Sequence, residues 1–136
     1  MKLLRLALLI VATALRCIAA DTIMELRGVW MHTEGGRITR FIFGEAPGRV
    51  RYYDGVSTGK DQSVGAELRG RYEIDLTQTP ATLVIYFDDD PHYPKGFTMH
   101  AIVELVSPKK LRMELFKTDS AKPKTFSDKS GLLEKQ

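Results

Sequence analysis

Most of the chain after residue 20 consists of short runs in which apolar and polar residues alternate, and no segment keeps a helical spacing. In the run 66–76, Leu68, Tyr72 and Ile74 alternate with charged residues. The runs 97–106 and 111–116 also carry apolar residues at every second position. Because successive side chains of a strand point to opposite faces, this pattern predicts strands with one buried and one solvated face.

Turn residues such as Gly, Pro and Asp separate seven of these runs, and an eighth is expected near Phe126 or Leu132. The polar segment 56–65 is predicted to be a connecting loop. The links are too short for the crossover helices that a parallel sheet needs. We therefore predict an all-β, antiparallel barrel or sandwich that follows a short N-terminal turn. The seven predicted strands are 27–33, 37–43, 49–53, 66–76, 81–87, 97–106 and 111–116.

The first 20 residues are typical of a secretory signal peptide. Lys2 and Arg5 precede an uncharged apolar run, 6–15, and Ala19-Ala20 offer small residues for cleavage. The run is too short to span a bilayer, although a buried N-terminal helix is the alternative interpretation. We expect an exported protein, periplasmic or secreted, with a signal peptide over 1–20, one domain over 21–136 and no membrane span in the mature chain. The one cysteine, Cys17, lies in the signal, so the mature domain would lack thiol chemistry.

The net charge of +3 originates in this leader. Residues 1–20 contain three basic residues and no acidic one, and removing those three from the 20 basic residues leaves 17, equal to the 17 acidic residues. Arginines interleaved with tyrosines around 49–53 and 69–72 are one pattern of nucleic-acid binding. The neutral mature domain opposes that interpretation, so no nucleic-acid partner is expected.

Two local motifs invite a chemical interpretation. The segment Gly55–Asp61 resembles a phosphate loop, but its glycines are one residue too close and Asp61 stands where a Ser or Thr would hold magnesium. Asp88-Asp89-Asp90 with His92 offers oxygen ligands for calcium, although a solvated turn explains the cluster more simply. No catalytic constellation emerges, so we predict a non-enzyme without cofactor or metal.

The segment Leu26-Arg27-Gly28-Val29-Trp30 is similar to the opening of lipocalins, and the chain resembles small exported bacterial lipocalin-like domains of the calycin type. This resemblance implies an up-and-down eight-stranded barrel in which Gly28 and Trp30 are structural, with Trp30 plugging the base. Arg112 and Lys124 are the candidates for the basic residue that packs over this tryptophan in lipocalins. Further matching segments are Tyr72–Asp75, Thr79-Pro80, Lys95-Gly96, Ala101–Leu105, Leu111–Met113 and Lys122–Phe126.

A barrel of eight strands has an interior that is filled by side chains or holds one small ligand. The inward positions Tyr52, Tyr72, Met99 and Met113 are the candidate ligand-binding residues, since apolar walls with a few hydroxyl groups suit a small apolar molecule. The alternative is a filled barrel that acts through its surface, as an inhibitor or as the partner of an envelope protein. The sequence leaves both possibilities open.

Overall fold

The computed structural model of the protein describes residues 26–44, 48–59, 62–87 and 96–136. The predicted signal peptide, most of the predicted N-terminal turn and the Asp88–His92 cluster lie outside the described residues.

Eight antiparallel strands form a closed barrel in which each strand pairs with its neighbours in the chain, and β8 pairs with β1. The predicted all-β, up-and-down eight-stranded barrel is confirmed. We call the end with the β2–β3, β4–β5 and β6–β7 turns the lower end, and the opposite end the upper end. The strands are β1 Gly28–Glu34, β2 Arg37–Phe43, β3 Arg49–Gly59, β4 Gln62–Asp75, β5 Ala81–Tyr86, β6 Thr98–Ser107, β7 Lys110–Phe116 and β8 Gly131–Lys135.

The hairpin of β3 and β4 is longer than the sequence pattern predicts. Residues 56–59 and 62–65 of the predicted loop belong to the two strands, because the ladder continues through the pairs Gly55–Gly65 and Val56–Val64. Any Cβ atom on Gly65 would lie 2.5 Å from the Cα atom of Gly55, so glycine permits this close approach. The resulting hairpin extends past the end of β2 at the upper end of the barrel.

The lower and middle parts of the barrel are filled by apolar side chains. Trp30 is fully buried, and its Nε1–H donates a hydrogen bond of 2.7 Å to the carbonyl oxygen of Leu26. Burial of this kind is the main favourable contribution to folding. The other buried core residues are Leu26, Phe41, Phe43, Val50, Leu68, Tyr72, Leu83, Ile85, Phe87, Met99, Ala101, Val103, Leu111, Met113 and Leu133.

The segment 117–130 connects β7 to β8, and we call it the strap; it contacts the outer face of β7 and the β4–β5 turn. The Ser127 backbone N–H and hydroxyl group donate hydrogen bonds of 2.7 and 2.8 Å to the Glu114 carboxylate. Lys122 Nζ donates to the Pro80 carbonyl oxygen at 2.9 Å, at the β4–β5 turn. Ile102 is fully buried although it faces outward, which is consistent with cover from the strap. Of the two predicted positions for the eighth strand, Leu132 is right and Phe126, which lies in the strap, is wrong.

Candidate functional site

The upper end of the barrel contains an opening of about 600 Å³ between β1, β2, β3, β7 and β8. Its inner part is mainly apolar, while charged side chains lie around its rim. Apolar inner walls with a few polar groups at defined positions are the usual composition of small-molecule sites. The inner residues are Thr39, Phe41, Tyr52, Met113, Leu115 and Leu133, and the rim residues are His32, Glu34, Arg37, Asp128, Lys129, Ser130, Gly131 and Leu132.

An aromatic series connects the buried core to this end of the barrel. The ring centroids of Phe41 and Tyr52 are 5.0 Å apart, and those of Tyr52 and Phe87 are 6.0 Å apart. Phe87 in turn stacks on Phe97 at 5.8 Å, and Phe97 is exposed. Rings at these separations attract each other beyond the area that they bury. The series therefore forms a continuous apolar surface that extends from the buried core to the exposed Phe97.

An ion pair fixes one side of the rim. The guanidinium group of Arg37 on β2 donates hydrogen bonds of 3.0 and 2.6 Å to the two carboxylate oxygens of Asp54 on β3. This bidentate contact lowers the pKa of the Asp54 carboxyl group below its ordinary value and raises that of Arg37. Both groups therefore remain charged at neutral pH and hold the base of the long hairpin against β2.

The opening lies where the barrel wall is least continuous. Strands β1 and β2 pair along seven positions, whereas β1 and β8 pair at Trp30–Lys135 and Met31–Glu134, near the lower end. Above these pairs, the His32 ring nitrogen Nδ1 lies 2.9 Å from the Leu132 carbonyl oxygen. His32 thus connects β1 and β8 by a side-chain contact where the backbone ladder has ended.

The four predicted ligand-binding residues occupy different places. Tyr52 and Met113 line the opening together. Met99 is a buried core residue that also lines a neighbouring hollow of about 420 Å³, which shares Leu115 with the opening. Tyr72 lies in the core, where its ring makes a T-shaped contact with Phe43 at a centroid distance of 5.0 Å, and burial raises the pKa of its hydroxyl group.

Gly28 and Trp30 lie at the lower end, apart from the opening. The basic group over Trp30 is Lys135, whose Nζ is 5.4 Å from the ring centroid. The candidate Arg112 is wrong for this role, since its guanidinium group lies over the Phe126 ring instead. Gly28 has a φ of 123°, and a Cβ atom there would meet Lys135 Cε at 2.8 Å. The glycine thus leaves room for the lysine stem beside the indole.

Sequence reasoning did not single out Phe41, Leu133, Arg37 or Asp54 as residues of the opening. The apolar pair follows from alternation on β2 and β8, so its inward orientation has a signal in the sequence. The sequence carries no signal for the Arg37–Asp54 contact, because the two residues become neighbours only through the register of β2 and β3.

The described ranges contain no group of three or more side chains that could hold a metal ion. No helix within them is long and apolar enough to cross a membrane. Comparisons of the chain with protein-family models, with curated proteins and with solved structures give no match.

Proposed function

We propose that this chain is a non-catalytic, exported, lipocalin-like binding domain that takes one small amphipathic molecule at the upper end of its barrel. The apolar part of the molecule lies against the aromatic series and Leu115, and its polar part meets the charged rim. An opening of about 600 Å³ is within the range of about 300–1,000 Å³ that small-molecule sites occupy.

The observation that carries the proposal is the exposure of Leu115. This side chain is at an inward position of β7, on the same face as the buried Leu111 and Met113, yet 54% of it is exposed. Several apolar side chains close together at one concave site are a common mark of ligand contact. A bound apolar group would remove Leu115 from water, which provides a driving force for binding.

The rim suits orientation of a ligand better than proton transfer. A general base works best with a pKa near the working pH, whereas the Asp54 carboxyl group is held ionised by Arg37. The mixed charges of Glu34, Arg37 and Lys129 provide hydrogen-bond partners for a polar head group. These features favour a binding site over a catalytic one.

The test is a fluorescence titration of the purified protein with dansyl-labelled undecanoic acid, which combines an apolar alkyl chain with a polar carboxylate group. We expect saturable binding that is about tenfold weaker in Leu115→Ser, because the variant removes apolar contact area. Val106→Ser is the matched control, since Val106 is 49% exposed but lies on β6 toward the lower end. Equal affinity of the two variants, or no saturable binding by the wild type, would contradict the proposal.

A second candidate, a protein-interaction module, is favoured by the exposed pair Val56 and Val64 on the long hairpin. These side chains extend an apolar surface above the barrel rim, where a partner protein has access to it. A Val56→Ser/Val64→Ser variant separates the two functions. The carrier loses little probe affinity in this variant, whereas an interaction module loses its partner contact.

A further inference from the structure

The outer wall of the barrel carries a group of four arginines that the proposed function does not use. They form two directly facing pairs across β3 and β4, Arg49 with Arg71 and Arg51 with Arg69. All four side chains are exposed. We call these residues the arginine patch.

Facing pairs of like charge are unfavourable in an antiparallel sheet, because directly opposite side chains are close neighbours. Alternation requires only polar residues at these outward positions, so Thr or Gln would satisfy the fold without repulsion. The patch therefore has a composition that the barrel itself does not require.

Neighbouring groups compensate one member of each pair. Arg71 lies 3.3 Å from a Glu73 oxygen and its guanidinium group is 4.1 Å from the Tyr86 ring centroid. Arg51 lies 3.5 Å from a Glu67 oxygen. Between residues of the described ranges, no ion pair involves Arg49 or Arg69. The patch thus keeps an excess of positive charge at its centre.

A hollow of about 420 Å³ lies at this centre. Three of its lining residues are arginines of the patch, and the rest provide apolar or backbone surface. The hollow is concave and open to solvent, so a charged group can enter without losing all of its water. Its lining residues are Ile42, Gly44, Arg49, Val50, Arg51, Arg69 and Gly70.

We propose that this hollow binds the phosphate group of a ligand. Guanidinium groups present paired N–H donors that match the oxygens of a phosphate, and such charge-assisted contacts are strong. A phosphate between Arg49, Arg51 and Arg69 relieves the repulsion that the facing pairs create. The phosphate belongs either to a soluble phosphorylated molecule or to a lipid head group.

Nucleic acid fits the patch less well. Binding of single strands relies on aromatic faces on which bases stack. Arg40 lies over the Tyr53 ring and Arg71 over the Tyr86 ring, so one face of each outward tyrosine is already covered. The equal numbers of acidic and basic residues after position 20 also oppose a general polyanion binder.

The experiment measures binding of tripolyphosphate by calorimetry and binding of vesicles by co-sedimentation. The vesicles contain phosphatidylglycerol, with phosphatidylcholine vesicles as the reference. The test variant is Arg49→Gln/Arg69→Gln, which changes the two arginines that form no ion pair within the described ranges and leaves the Arg51–Glu67 contact in place. The matched control is Lys109→Gln/Lys110→Gln, which removes the same charge from exposed residues of the β6–β7 turn.

We expect binding of tripolyphosphate, of phosphatidylglycerol vesicles or of both, weakened about tenfold or more in the arginine variant and little changed in the lysine control. Preference for tripolyphosphate indicates a soluble ligand, and preference for the vesicles indicates a head group. Because repulsion is removed, the arginine variant should melt at a temperature no lower than the wild type.

Three binding results would each overturn the proposal: no binding of either probe, equal weakening in both variants, or tighter binding of a short oligothymidylate than of both probes. A lower melting temperature of the arginine variant would also overturn it, because the arginines would then serve the fold. The site is on the outer wall, so these outcomes are independent of binding at the upper end.

Discussion

Leu111 and Leu115 lie on the same face of β7, four residues apart, and their surroundings are opposite. Leu111 is fully buried near the lower end, whereas Leu115 is 54% exposed at the upper opening. The lower end is closed by Trp30 and by the pairing of β8 with β1, and the upper end lacks that pairing. The same alternating pattern thus produces a filled core at one end and an apolar wall facing solvent at the other.

The largest effect is expected at the lower end, from Trp30→Ala. This change removes a fully buried indole and the hydrogen bond to the Leu26 carbonyl oxygen, so it should lower the free energy of unfolding by about 3–5 kcal/mol. Chemical denaturation measures it. Met31→Ala, on the next and outward position, is the control and should cost less than about 1 kcal/mol. Similar stabilities of the two variants would refute a closed lower end.

A second prediction compares the two leucines directly. Leu111→Ala leaves a cavity in the core and should cost about 2–5 kcal/mol, while Leu115→Ala should cost less than about 1 kcal/mol because more than half of Leu115 is already exposed to water. The same denaturation assay measures both. An equal loss in the two variants would mean that the upper end is packed like the lower end.

A smaller, pH-dependent effect is expected where the strap meets β7. The two hydrogen bonds from Ser127 lower the pKa of the Glu114 carboxyl group from its ordinary value of 4.5. The stability that this contact provides is therefore present above about pH 4.5 and is lost as the pH falls through the lowered folded-state pKa.

The measurement is the difference in unfolding free energy between the wild type and Glu114→Gln. We expect this difference to be larger at about pH 7 and to shrink as the pH falls below about 4.5, because protonation of the Glu114 carboxylate removes the interaction that favours its charged form. Since Asp128, Lys129 and Ser130 follow the anchored Ser127 and line the opening, the variant should also weaken probe binding. A difference that does not change with pH would contradict this role of Glu114.

The sequence predicts well which strand faces of this barrel are buried. It predicts poorly the contacts between residues that are far apart in the chain. Alternation places Leu68 and Val103 inward because the strand period is local. It could not identify Lys135 over Trp30, since these residues meet only when the last strand closes the barrel. The pattern also predicted a loop over residues 56–59 and 62–65, which belong to strands, because small polar residues in a hairpin have the composition of a turn.

In the candidate site, too, the inward orientation of a side chain was predictable from the sequence, whereas its position along the barrel was not. Tyr52 and Met113 were predictable as inward residues, and the structure places both at the opening. Tyr72 follows the same alternation but lies deeper, next to Phe43. Alternation determines which face a side chain occupies, but depth along the barrel depends on strand register and on where β1 and β8 separate.

The most direct test of the central claim is an NMR titration of protein with ¹³C-labelled methionine methyl groups, using dansyl-labelled undecanoic acid as the probe. Met113 lines the opening, whereas Met31 lies on the outward face of β1 near the lower end. We expect a saturable shift of the Met113 methyl signal while the Met31 signal stays in place. An unchanged Met113 signal at saturating probe, or equal shifts of the two signals, would contradict it.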